Sequence, residues 1–449
     1  MNKIAKLLTF TLFSALTIPV ATSAPLLNET DAQLAMQLTT SLVVEIGPRL
    51  AGSPADRKAV AWALEHFKEL GYDKVWTEEF KTPYWQRGHA RLEVVSPFPQ
   101  SITLTALGGS IGTPADGLKG QLVVFDSLEA LQAAPREQVQ GKMVFINKAM
   151  AKDKAGAFYG QVAPVRSQGA IEASKKGAIA ILIRSVGTSQ NRFAHTGKMS
   201  YAEGVAPIPA VAVSVPDALQ LLQILKRAPD AQLMLNMQNT TEDAISHNVI
   251  AEITGSERPD EIVLISAHLD SWDQGTGALD DGAGVGLVMA TGALIKQQGR
   301  PKRTIRVVLF GNEEGGLVGA RAYAAKHAKD LKSHVLAAES DFGAGLVYQF
   351  DSYFGNNALP FADSIQQQLA PLGIAKGHNK AYGGPDISVL KALGVPVVTL
   401  EQDGTDYFDY HHTPNDTLDK IDPKALAQNL QAWVMMTRMV ANSTVDFRR

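Results

Sequence analysis

EIVLISAHLDSWDQGTGALDDGAGVGLVMATGALIKQQ, residues 261–298, decides the fold. Its opening run, 262–267, is short, continuous and apolar, with three β-branched residues (Ile262, Val263, Ile265), which reads as a strand buried on both faces. Its closing run, 283–298, is apolar for too long to be a strand and reads as a helix. The alternation continues downstream. Strands are expected at 304–310, 335–339, 346–350 and 395–400, and helices at 317–327 and 423–440. This order predicts an α/β domain whose mixed, largely parallel sheet is flanked by helices. Ligands of such sheets gather beyond the carboxyl ends of the strands.

Upstream, 31–46 reads as a helix and GPRLAGSP, 47–54, as a turn. Ser53 can cap the next helix with Pro54 at its first position; Val60, Ala63, Leu64, Phe67 and Leu70 then share one face, and Gly71 ends it. Strands are expected at 91–95 and 102–106. The middle of the chain has short strand-like runs at 121–125, 142–146, 179–183 and 208–214, and helices at 170–176 and 216–225. No cluster of His and carboxylates accompanies them. Residues 116–242 therefore read as an insert between two parts of one larger domain, 24–115 and 243–449. The start of the chain reads as an export signal over 1–23: Lys3 and Lys6, an apolar run at 7–20, then small residues near 21–24, where cleavage is expected. The expected location is secreted or periplasmic. No later segment reads as a membrane span.

Composition removes several chemistries. With no cysteine among 449 residues, disulfides, thiol catalysis and thiolate metal sites are excluded, so any metal must be held by His, Asp and Glu. A net charge of -3 offers no electrostatic case for nucleic acid or an anionic membrane as partner.

Metal-ligating residue types stand just beyond the strands. His268 and Asp270 follow 262–267, and Asp280 opens the helix at 283. Glu313 and Glu314 follow 304–310, Asp341 follows 335–339, and His411 and His412 close the loop after 395–400. Two zinc ions carry +4; Asp280, Glu314, Asp341 and a shared hydroxide would balance that charge, with two neutral imidazoles completing the set. If Asp280 bridges, each ion has three protein ligands and a shared water, the open arrangement of a catalytic site. A further carboxylate must then move the water's proton, and Glu313 beside Glu314 is the candidate. Asp270, two residues after His268, can hold that imidazole's other nitrogen. Singly, each residue has a plainer reading: Asp280 and Asp281 as a helix cap, Glu313 and Glu314 as a solvated helix start. Their joint recurrence at strand ends favours the metal site. GAGVG at 282–286 lacks nucleotide-loop spacing and reads as tight packing. His195, His247, His327, His334 and His378 have no recognisable partners.

SAHLDSWDQGTGALDDGAG from Ser266, GNEEGG from Gly311, ESDFG from Glu339, GGPDIS from Gly383 and DYHHTPNDT from Asp409, with GPRLAGS near the start, resemble the di-zinc aminopeptidase and glutamate carboxypeptidase group, metallopeptidase family 28. Within it they are most similar to the plasma glutamate carboxypeptidase (carboxypeptidase Q) branch. The likeness runs from about residue 30 to the C-terminus. It implies a zinc-aminopeptidase-like fold with a protease-associated insert, and a two-zinc site. One ion is held by His268, Asp280 and Asp341, the other by Asp280, Glu314 and His412, with Glu313 as general base and acid. His412 fits the family's pattern better than His411, which is left behind the ligands or facing solvent. The resemblance also implies a cis Asp280–Asp281 peptide, Tyr382 facing substrate, a homodimer, and hydrolysis of unblocked dipeptides or of the bond next to a free amino terminus. Two rivals share the fold. A glutaminyl cyclase would use one zinc, and a non-catalytic binding relative would lack ligands that are all present here.

Overall fold

The computed structural model describes residues 27–449; the expected export signal lies outside the described residues. Strand Arg258–His268 sits between two parallel neighbours, Arg303–Phe310 and His334–Glu339. Next to the latter lies Val397–Gln402, also parallel, and then the antiparallel Val347–Tyr353. Register determines where the loops leave the sheet. Phe310 pairs with His268, and Glu339 with Ser266, so the three central strands end at one level and their outgoing loops emerge side by side.

Helix Ala283–Gln298 packs behind this sheet, buried through Ile295. Gly286 explains how closely: a Cβ there would fall 2.4 Å from Thr39 Oγ1 and 2.5 Å from the Ala35 carbonyl. GAGVG is thus a helix–helix contact with Leu34–Glu45. With its leading turn, Ala278–Gln298 has the length and apolarity of a membrane span, contrary to expectation, but its apolar stretch is buried inside the protein. Its apolarity serves the core, where each fully buried Leu, Ile or Val contributes about 1.5–3 kcal/mol.

A second lobe is built on a two-strand ribbon. Lys74–Ser96 pairs antiparallel with Gln232–Ile253 along its length, from Lys74 opposite Glu252 to Ser96 opposite Gln232. The second strand belongs to both lobes: its end pairs with Arg303–Phe310, its beginning with Leu118–Phe125. From there the smaller lobe continues with parallel strands Met143–Ile146, Ala180–Arg184 and Ala210–Val213. Its core draws in Trp85, Leu92, Val94, Ile102 and Ala106, which precede residue 116. The expected helix at 170–176 is the last part of a longer one, Tyr159–Lys175, which tolerates Pro164 in its second turn.

Candidate active site

The loop after His268 is shaped from below by Arg49, the arginine of GPRLAGS. It is fully buried, and its guanidinium donates to the carbonyls of Leu269 (2.6 Å), Thr276 (2.8 Å) and Gly277 (3.0 Å). Asp416 holds the same loop from the other side, accepting from the N–H of Leu279 at 2.6 Å and of Asp280 at 3.2 Å. The Asp280–Asp281 peptide is cis. Both Asp281 oxygens are used locally, accepting from His268 N at 3.1 Å and Gly284 N at 3.2 Å.

Asp280 therefore presents its carboxylate to the cavity, split between two groups. Oδ1 lies 3.0 Å from His268 Nε2, which is also 3.5 Å from Asp341 Oδ1. Oδ2 lies 3.3 Å from His412 Nε2, which is 3.0 Å from Glu314 Oε2. The five residues come from distant parts of the chain; His268, Asp280, Glu314 and His412 are buried and Asp341 is partly buried. Asp280 Oδ2 and Glu314 Oε1 have no hydrogen-bond partner among the described residues.

Electrostatics supports a cation here. Burial raises the Glu314 carboxyl to about 7, and burial with the Asp341 charge pushes Glu313 well above its ordinary range. Asp341 is also raised, again mainly by burial. Burial would lower both histidines, yet Glu314 and Asp280 raise His412 to about 9, and Asp341 with its neighbours raises His268 well above its ordinary value. Two imidazoles cannot neutralise this many buried carboxylates, and divalent cations can. An O-and-N donor set of this kind suits zinc.

Around these residues, the geometry refines several expectations. The His268 Nδ1 proton goes to the backbone carbonyl of Asp270 at 3.0 Å, not to its carboxylate, which lies 3.7 Å away. That carboxylate instead accepts the Glu313 N–H at 3.0 Å and so anchors the Glu313–Glu314 turn. His411 does not face solvent. It is buried, its ring stacked on His412 at 3.5 Å between centroids, with Nε2 3.6 Å from Asp280 Oδ2. Burial and the adjacent His412 hold it well below its ordinary pKa. Asp280 with His411 and His412, and His268 with Asp281 and Asp341, also lie within ligand distance of one another. Asp281, with both oxygens engaged by backbone amides, is the weaker ligand; Glu314 is better placed.

His195 is no ordinary histidine either. Its Nδ1 meets the His411 carbonyl at 2.8 Å, and the next residue, Thr196, receives His412 Nδ1 at its carbonyl (3.3 Å) and donates its N–H to the His412 carbonyl (2.9 Å). The smaller lobe thus grips the His411–His412 segment. His334 and His327 are partnered as well, by Tyr323 and Glu78. No spacing rule links residue 195 to residue 411, and only the fold brings them together.

A cavity of about 660 Å³ opens over the site. Tyr159, Arg166 and Lys198 line it from the smaller lobe, and Glu313, Tyr382 and Glu401 from the larger. Tyr382 stands at the mouth, 54% exposed.

Known proteins resemble this chain. The family described as Peptidase family M28 matches residues 248–437, the span carrying every ligand-type residue above. Human carboxypeptidase Q is 36% identical over 405 residues, covering 89% of this chain and 84% of its own. A solved structure of a peptidase M28 precursor from Shewanella amazonensis is 50% identical, with a TM-score of 0.91 over 94% of this chain and 97% of that one. A zinc aminopeptidase from Bacillus subtilis shares the fold at 20% identity, with a TM-score of 0.67 over 91% of this chain and 94% of that one. From identity of this extent across nearly whole relatives, with the match falling on the strands that carry the site, the chain belongs to peptidase family M28 and is a metallopeptidase.

Proposed function

We propose that the protein is an exported two-zinc exopeptidase that hydrolyses unblocked dipeptides or the bond next to a free amino terminus. The observation carrying this reading is the division of Asp280: one oxygen toward His268 and Asp341, the other toward His412 and Glu314. Each set would hold one ion, with Asp280 contributing an oxygen to both. When bound, the ions polarise the peptide carbonyl and make water acidic enough to attack at neutral pH. The chain's own groups do the rest. Glu313 takes the proton from the attacking water and delivers it to the departing amine nitrogen. Asp270 keeps Glu313 in place through its backbone N–H. The Thr196 carbonyl and the Asp270 carbonyl orient the two imidazoles from behind. Tyr382 faces substrate at the mouth.

The relatives support the class. Both carboxypeptidase Q and aminopeptidases share this fold, and their names leave open which end of a peptide is read. Export and a homodimer belong to the same proposal.

The deciding assay uses purified mature protein and a panel of free and N-acetylated dipeptides and tripeptides, before chelation, after it, and after zinc is restored. Cleavage of free dipeptides that is lost on chelation and regained with zinc is expected, with acetylated substrates resistant. Two bound zinc ions without cleavage of any peptide would refute the substrate class, and a chain binding no metal would refute the site. Signal cleavage is checked by the N-terminal sequence of exported protein, and the dimer by its mass in solution.

A further inference from the structure

A second, much smaller cavity of about 10 Å³ touches the Glu314 and His412 side of the site and has the room of one water molecule. Trp272, from the loop after His268, forms one wall, with Asp280, Glu314, His412 and Asp416 among the others. Trp272 is 6% exposed, and its buried Nε1–H has no hydrogen-bond partner among the described residues. An indole N–H can only donate, and leaving it unpaired in the interior is costly. Two carboxylate oxygens of the same cavity's residues also lack a partner, Glu314 Oε1 and Asp280 Oδ2. The two are not equivalent. Asp280 Oδ2 already lies 3.3 Å from His412 Nε2 and 3.6 Å from His411 Nε2. Glu314 turns Oε2 toward His412 Nε2 at 3.0 Å, which leaves Oε1 as its uncommitted oxygen. The indole itself is clamped. It stands edge-on to His412 at 5.7 Å and to Trp85 at 6.4 Å between centroids. A Cβ on Gly108, just past the Leu104–Ala106 strand of the smaller lobe, would fall 1.9 Å from its Cη2.

One orphan donor and one orphan acceptor around a cavity of single-water size form a hydrogen bond waiting to be counted. We infer that Trp272 is a positioning residue: its indole N–H holds Glu314 Oε1, directly or through one water in the small cavity. Oε2 is then the oxygen presented beside His412. The inference rests on the two-zinc reading above. A carboxylate fixed by its second oxygen cannot rotate to grip an ion with both, which keeps a coordination position open for water. Glu313 is the neighbouring residue, so a Glu314 that turned would carry the general base with it. Because Gly108 seats the ring, the smaller lobe bears on this ligand through Trp272.

The test replaces Trp272 of the mature enzyme with benzothienylalanine, which keeps the bicyclic shape and puts sulfur in place of the N–H, and sets it beside Trp272→Phe. In both, one of the two zinc ions is expected to bind about tenfold or more weakly, measured by competition with a chromophoric chelator, while the other is unchanged. With cobalt in place of zinc, the visible spectrum should shift in the isostere, because the coordination at one ion changes. Wild-type affinity and spectrum in the isostere, with a defect only in Trp272→Phe, would reduce Trp272 to packing and overturn the inference. A crystal structure of the zinc-loaded wild type decides the matter even where neither variant folds. Nε1 within about 3.2 Å of Glu314 Oε1, or of a water bonded to it, is the expected result; an N–H bonded to Asp280 or to any other group overturns the inference. Wild type that binds no zinc would instead sink the two-zinc reading itself.

Discussion

Asp280 and Glu313 separate binding from chemistry at the scale of single residues. Asp280→Asn removes the charge shared by both ligand groups, so the variant is expected to lose bound zinc together with activity, read as metal per chain. Glu313→Gln should keep its metal and lose about 10²–10⁴-fold in kcat, the usual contribution of a positioned acid–base group. Away from the site, His334 makes a pH prediction. Its Nε2 accepts from Tyr323 Oη at 2.7 Å, and that oxygen is in turn bonded by Arg306 Nη1 at 2.8 Å, so the ring is held neutral. Burial, with the Arg306 charge, lowers its pKa from 6.5 to about 3. The unfolded chain therefore takes up the proton first. This contribution to stability is complete above about pH 6.5 and declines as pH falls toward 3. His334→Gln should flatten that part of the pH–stability curve in denaturant titrations between pH 7 and pH 5.

Among elements, the sheet of the larger lobe was the most legible, because its central strands are continuous apolar runs with no competing pattern. Helix Ala283–Gln298 was legible from end to end. The ribbon was not. Lys74–Ser96 alternates polar residues with scattered aromatics and carries Pro83 and Gly88, so only its last residues looked like a strand. Its stability comes from pairing with Gln232–Ile253, some 150 residues away in sequence, which no local window contains. Helix Tyr159–Lys175 was similarly shortened by Gly160 and Pro164 near its start. Packing makes a prediction at this scale. Gly286→Val would press two methyls into the Thr39 and Ala35 backbone contact and should cost about 1–3 kcal/mol, seen as a lower denaturation midpoint.

For the whole molecule, the two lobes meet at the site. His195 and Thr196 reach from one to hold the His411–His412 segment of the other. His195→Ala should lower zinc affinity about tenfold or more, as loss of supporting contacts behind a ligand does, measured by competition with a chromophoric chelator. The ligands come from four strand ends and the start of a helix, and the unfolded chain cannot assemble them. Metal binding is therefore coupled to folding: chelation should lower Tm, and added zinc should raise it with a dependence on zinc concentration. A Tm indifferent to zinc would show that the five residues do not bind it.

The sequence by itself determined the alternation of strands and helices, the exclusion of thiol chemistry, and the set of residues able to hold metal. Those features are local: apolar period, residue type, and position just past a strand. Which oxygen of Asp280 faces which histidine, and why Arg49 is needed beneath the loop, depended on strand register and loop packing. The role of His195 as a support behind His411 was decided only by tertiary structure. It lies in a segment whose sequence carries no ligand cluster, and it reaches the His411–His412 segment because the strand Gln232–Ile253 is shared by both lobes. Proximity across two lobes is set by the whole fold, and a linear pattern has no term for it.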